Sequence, residues 1–219
     1  MMNTNELIQR LSRDLAPVEP LWRPGSRAVA WLLAAAIYVV VLTALLAKSG
    51  SPLELASPRV WLPHLAAIAT CLLASWAAFA SVIPGHSRGP AVWAALAALV
   101  WITTVVVASQ WHSDVATIVA ARHEAACVAV IVLGGAPLLV AMVAMLRRGA
   151  PFTPGTTAAF AALAVGAITN ISACFWRPHP VDDVTLVWHG GAILVLVLAC
   201  VLGARLVPTA VGARLDPSP

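Results

Sequence analysis

In this 219-residue chain, Cys127, Cys174, His123 and His179 are the side chains best suited to thiol or metal chemistry. His123 and Cys127 are spaced i, i+4 and share a face if one helix carries both. Cys174 is followed five positions later by His179. Three readings fit these residues. Cys127 and Cys174 form a disulfide if their Cα atoms approach within about 7 Å. Alternatively, the thiols with His123 and His179 supply soft and borderline ligands suited to zinc or copper. The third reading is plain: buried, unreactive cysteines and interfacial histidines. No C-x-x-C or H-x-x-x-H spacing selects among them. Cys71 and Cys200 lie in the middle of apolar runs, where a cysteine serves as a small hydrophobe.

The elements that position these residues follow from composition. The chain is 61% hydrophobic and 10% charged, with a mean hydropathy of +0.90. Water-soluble domains carry roughly 25% charged residues, so lipid must solvate most of this surface. The net charge of +4 comes from Lys and Arg scattered singly or in pairs. They form no basic stripe for a polyanion, which argues against direct nucleic-acid binding. A membrane-spanning helix needs about 20 mostly apolar residues. Windows of that size predict six spans: Ser26–Ala47, Val60–Ile83, Ala91–Ser109, Ala125–Leu146, Thr156–Phe175 and Val184–Val207. Gly-Ser-Pro, Pro-Gly, Gly-Ala-Pro and Arg-Pro breakers separate them. The first span is too long for a secretory signal core and is expected to stay in place.

Basic residues orient the bundle. Arg10, Arg13, Arg23, Arg27, Arg88, Arg147, Arg148, Arg205 and Arg214 fall with the N-terminus, the even-numbered loops and the C-terminus, whereas Lys48, Arg59, Arg122 and Arg177 fall on the other side. This bias predicts an inner-membrane protein with both ends in the cytoplasm. Cys127 and Cys174 then sit near the outer face, in an oxidising compartment. Trp22, Trp61, Trp111 and Trp176 lie at predicted helix ends, where indoles anchor among headgroups. Gly134, Gly135, Gly166, Gly190 and Gly191 among many alanines predict close helix packing. Pro137 is expected to kink the fourth span. The resulting fold class is all-α: an integral-membrane bundle of six transmembrane helices with a short cytoplasmic amphipathic helix before it. Residues 1–25 form a docking segment, 26–207 the bundle and 208–219 a cytoplasmic tail.

Residues 3–16 carry that amphipathic helix. Asn3 caps it, and Glu6 lies three positions on, as in a capping box. Leu7, Leu11 and Leu15 recur at helical spacing, Ile8 widens the stripe, and Pro17 disfavours helix in its predecessor. A helix this short is marginal in water and needs a surface to bury against. Membrane lipid and a groove on a soluble partner are the two candidates. Its polar face is poor in Lys and Arg for a lipid-surface helix.

Several function classes are disfavoured. The chain has no P-loop, dinucleotide fingerprint, nucleophile elbow or zinc-protease helix. No Asp, Glu, Lys or Arg lies deep within a predicted span, as coupled transporters usually require. Asn170 and Thr169 are the most polar residues of the fifth span, where one amide usually serves as interhelical glue.

Four stretches together resemble the NrsF family of polytopic bacterial anti-sigma factors. They are NELIQRLSRDLAPVEPL at 5–21, ASPRVW at 56–61, the run from Cys127 through Pro137 to LRRGAP at 146–151, and Cys174 with Asp182-Asp183 and Val187-Trp188. The resemblance implies a protein that holds an extracytoplasmic-function sigma factor at the membrane and releases it under oxidative or heavy-metal stress. It implies that Cys127 and Cys174 are the sensing thiols; His123 and His179 are auxiliary ligands only on the residue-based reading in which zinc or copper is bound. It implies no catalytic residue and requires no resident cofactor. The sigma contact then falls on Leu7, Ile8, Leu11 and Leu15, chiefly because they form the apolar stripe. The family's usual His-Cys in the last loop is Ala173-Cys174 here. The alternative is a transport or metal-homeostasis protein that uses the outer Cys and His residues as ligands.

Overall fold

A computed structural model describes residues 3–13, 22–46, 58–109, 119–149, 153–176 and 183–206. Seven helices account for nearly all of them: α1 (Thr4–Arg13), α2 (Pro24–Leu46), α3 (Pro58–Ala80), α4 (Gly89–Ser109), α5 (Val119–Leu146), α6 (Pro154–Trp176) and α7 (Asp183–Leu206). Helices α2 to α7 are each long and apolar enough to cross a membrane, and they form the expected six-helix bundle. No strand occurs among the described residues.

Local chemistry explains the helix starts. Pro24, Pro58 and Pro154 each open a helix, where a fixed φ and a missing N–H cost nothing. Between α3 and α4 the chain turns through Gly85, whose φ of +75° suits a residue without Cβ. The observed spans match the predicted ones to within a few residues. The second ends at Ala80 instead of Ile83 because residues 81–85 already form the turn. α1 occupies Thr4–Arg13, and Glu6 N–H donates to the Asn3 carbonyl at 2.9 Å; residues 14–16 of the expected helix lie outside the described residues.

α3 and α6 form the centre, with more than half of each span buried. α4 packs on α3; α5 and α7 flank α6; α2 lies across α3 and α6 and reaches α5. Ala67, Cys71, Ala74 and Ala78 of α3 and Ala161, Ala164 and Val165 of α6 are buried core positions. Their small size brings the helix axes close, and dispersion contacts rather than expulsion of water hold such a core in lipid. The outward side chains, among them Leu33, Ile37, Val40, Leu99, Val140 and Leu198, are exposed and apolar, as a lipid-facing surface requires.

Two faces result. The starts of α2, α4 and α6 meet the ends of α3, α5 and α7 at one face. There, Ser81 and Thr157 hydroxyls lie 2.7 Å apart, and a Cβ on Gly149 would stand 2.9 Å from Val82 Cβ. This arginine face carries Arg27, Arg88, Arg147, Arg148 and Arg205. The opposite, cysteine face gathers the starts of α3, α5 and α7 with the ends of α4 and α6. There His64 meets Phe175 edge-on, with ring centroids 5.6 Å apart.

Candidate thiol site and its connection to the arginine face

Cys127 lies two residues inside the apolar span of α5, and Cys174 two residues before the end of α6. The two helices pack side by side and antiparallel, which brings both cysteines to the cysteine face. Neither is joined to the other by a disulfide in this structure. Their surroundings differ. Cys127 is buried at 1% exposure and shares a stripe with Ile131, Leu138 and Met142; the intervals of four, seven and four residues are helical repeats. Cys174 is half-buried and borders a cavity of about 510 Å³ between α3, α4, α6 and α7.

α5 begins at Val119, so His123 and Cys127 share one helix. The His123 side chain lies outside what is described, as does His179 altogether. Among the described residues, no group of three or more His, Cys, Asp or Glu side chains is placed to hold a metal ion. In α1, Ile8 is exposed. The backbones of Leu7 and Leu11 lie in the helix but their side chains, and all of Leu15, fall outside the described residues. α1 is by far the most amphipathic of the seven helices.

Sequence reasoning missed the polar ladder between α2 and α5. The Arg27 guanidinium donates through Nη2 to the Met145 carbonyl. Trp31 Nε1–H donates to the Leu138 carbonyl at 3.2 Å, and Tyr38 O–H to the Gly134 carbonyl at 2.9 Å. The donors are spaced four and seven apart, so they share a face of α2; the acceptors descend α5 in antiparallel order. Arg27 is 4% exposed and its Cζ lies 5.0 Å from the Phe79 ring centroid, a cation–π contact. As sequence, Arg27 is one of nine topology-setting charges. Only the packing of α2 against α3 and α5 turns it into a buried anchor. The donor types and their spacing were visible beforehand, but their acceptors are main-chain carbonyls 96 to 118 residues away, which no local pattern marks.

The glycines divide similarly. A Cβ on Gly135 would stand 2.9 Å from Val165 Cγ1, and one on Gly166 3.0 Å from Ile193 Cγ2. These positions allow α5, α6 and α7 to touch. Gly190 and Gly191 face open space. Beside Gly135, Thr169 O–H lies 2.8 Å from the Val165 carbonyl and 3.3 Å from the Ile131 carbonyl of α5. Asn170 crosses to α7, where its Oδ1 lies 2.8 Å from His189 Nδ1. It is interhelical glue, as expected.

No curated protein matches the chain, and no solved structure does. A family model described as negative regulator of sigma F matches residues 11–208. The match spans α2 to α7 and begins within α1, after Leu7 and Ile8. The description implies negative regulation of a sigma factor. With nearly the whole chain matched on a bundle of six helices long and apolar enough to cross a membrane, this protein belongs to the NrsF family.

Proposed function

We propose that the protein is an inner-membrane anti-sigma factor. It holds an extracytoplasmic-function sigma factor against its cytoplasmic, arginine face and releases it when oxidant or heavy metal reaches Cys127 and Cys174 on the periplasmic side. The family match over residues 11–208 carries this reading. The excess of arginine on one face supports the orientation. The amphipathic α1, joined to α2 on that face, supports an apolar docking element built on Leu7, Ile8, Leu11 and Leu15.

The α2–α5 ladder supplies a physical route between the two sides. Cys127 rides on α5, and α2 leads directly from the docking segment. Modification of a thiol buried against Ile131 adds volume or polarity to a filled core, which α5 can relieve only by shifting. A shift of α5 moves the carbonyls to which Arg27, Trp31 and Tyr38 are bound. Signalling then requires the modified thiol to favour one helix packing over the other.

The test is co-purification of the full chain with its sigma factor from membranes, before and after oxidant or cadmium treatment. Capture lost on Leu11→Asp, and stress release lost on Cys127→Ser or Cys174→Ser with capture retained, are the expected outcomes. Release in both serine variants equal to that of the unaltered protein refutes the thiol input. Undiminished capture by Leu11→Asp refutes docking through α1.

A further inference from the structure

The cavity of about 510 Å³ beside Cys174 has an unusual distribution of polar atoms for the interior of a membrane bundle. Its lining includes His64, Asn170, Cys174 and His189, which cluster toward the cysteine face, and Trp101 of α4. The rest is apolar, with Ile102, Leu163 and Ile193 among the lining residues. Between Cys174 and Ala159 the lining extends along α6 for about 22 Å at 1.5 Å per residue. Among the described residues, no Arg, Lys, Asp or Glu borders it. α4 and α7 are only loosely packed, so the cavity lies where two outer helices leave a lateral opening toward lipid.

The hydrogen-bonding groups define what fits. Asn170 Oδ1 can only accept, so its 2.8 Å bond assigns His189 as the Nδ1–H donor. Asn170 therefore keeps its amide N–H groups as donors. Trp101 packs its indole into the wall, 7% exposed, with the Nε1 atom itself buried away from the cavity. The site thus offers the neutral amide donors of Asn170 and a long apolar trough. A phosphate headgroup would find no Lys or Arg among the described lining residues, and a plain acyl chain would leave the amide donors unsatisfied. A flat, uncharged head with carbonyl oxygens and an isoprenoid tail satisfies both parts, and the volume falls in the range of small-molecule sites.

We propose that the cavity between α3, α4, α6 and α7 binds a lipid-soluble quinone, a ring oxygen toward the Asn170 amide and its tail along the apolar wall. The proposal concerns binding and stands independently of the sigma-factor reading.

The test uses the full chain in quinone-free nanodiscs titrated with decylubiquinone, read by quenching of tryptophan emission and by displacement of a radiolabelled quinone. Gly190 borders the cavity, and a Cβ there meets nothing within 4 Å. Gly190→Leu therefore fills space without displacing a neighbour, and Asn170→Leu removes the head donor. Saturable binding above empty discs, weakened about tenfold or more in each variant, is expected. Ala98→Phe, from the α4 wall, should weaken it likewise. Partitioning no greater than in empty discs, or affinity unchanged in Gly190→Leu and Ala98→Phe, overturns the proposal. So does native mass spectrometry showing a phospholipid that excess quinone fails to displace.

Discussion

The Tyr38 hydroxyl donates to the Gly134 carbonyl at 2.9 Å, three residues before Pro137. Pro137 has no N–H to return to the Leu133 carbonyl, which directly precedes Gly134, and its ring crowds that turn of α5. The Tyr38 hydroxyl, in turn, finds in lipid an acceptor on a neighbouring helix at this turn, where no water is present to take its proton. At the same level Leu42 fills the space over Gly134, with Cδ2 3.1 Å from where a Cβ would stand.

Tyr38→Phe should therefore lower stability by about 0.5–2 kcal/mol, in the range of interhelical hydrogen bonds in membranes. The measurement is the midpoint of unfolding by sodium dodecyl sulfate in bicelles, followed by tryptophan emission. A midpoint equal to that of the unaltered protein would contradict a structural role for this bond.

Gly135 and Gly191 should respond oppositely to added side chains. At Gly135 a Cβ would stand 2.9 Å from Val165 Cγ1, and the surrounding Thr169 is itself buried. Gly135→Val should cost about 1–3 kcal/mol through overpacking. At Gly191 nothing lies within 4 Å, so Gly191→Ala should leave the thermal midpoint of the detergent-solubilised protein unchanged or slightly raised. Equal effects at the two sites would mean that α5 and α6 are not packed as described.

The two sensing candidates should differ in reactivity. Cys174 is half-buried beside a cavity, whereas Cys127 is 1% exposed among core side chains. A small maleimide should modify Cys174 several-fold faster than Cys127 in the folded protein, and both should react once it is unfolded. Peptide mass spectrometry over a time course measures this. If Cys174 leads in oxidation as well, it is the first point of contact and Cys127 the residue whose modification strains the core.

Six spans and an amphipathic N-terminal helix were legible in the sequence because each depends on local information. An apolar run of sufficient length must be a helix in lipid, since no other open structure satisfies its own backbone there. The stripe of Leu7, Ile8 and Leu11 needs only the 3.6-residue repeat. The arrival of Cys127 and Cys174 at one face was likewise implied, because alternating spans of equal length return the start of the fourth and the end of the fifth to the same side.

The tertiary structure decided what those helices do to one another. Nothing local separates Gly135, pressed against Val165, from Gly191, which faces open space. Nothing local distinguishes Arg27, bound to the Met145 carbonyl and stacked over Phe79, from the exposed Arg23 four residues earlier. The same holds for Asn170 and His189, nineteen residues apart and joined only because α6 and α7 fold back on each other. Composition and period determine that a segment forms a helix long and apolar enough to cross a membrane. Which face meets which neighbour depends on the joint packing of six helices, and that placed Cys127 within the core and Cys174 at the edge of a cavity.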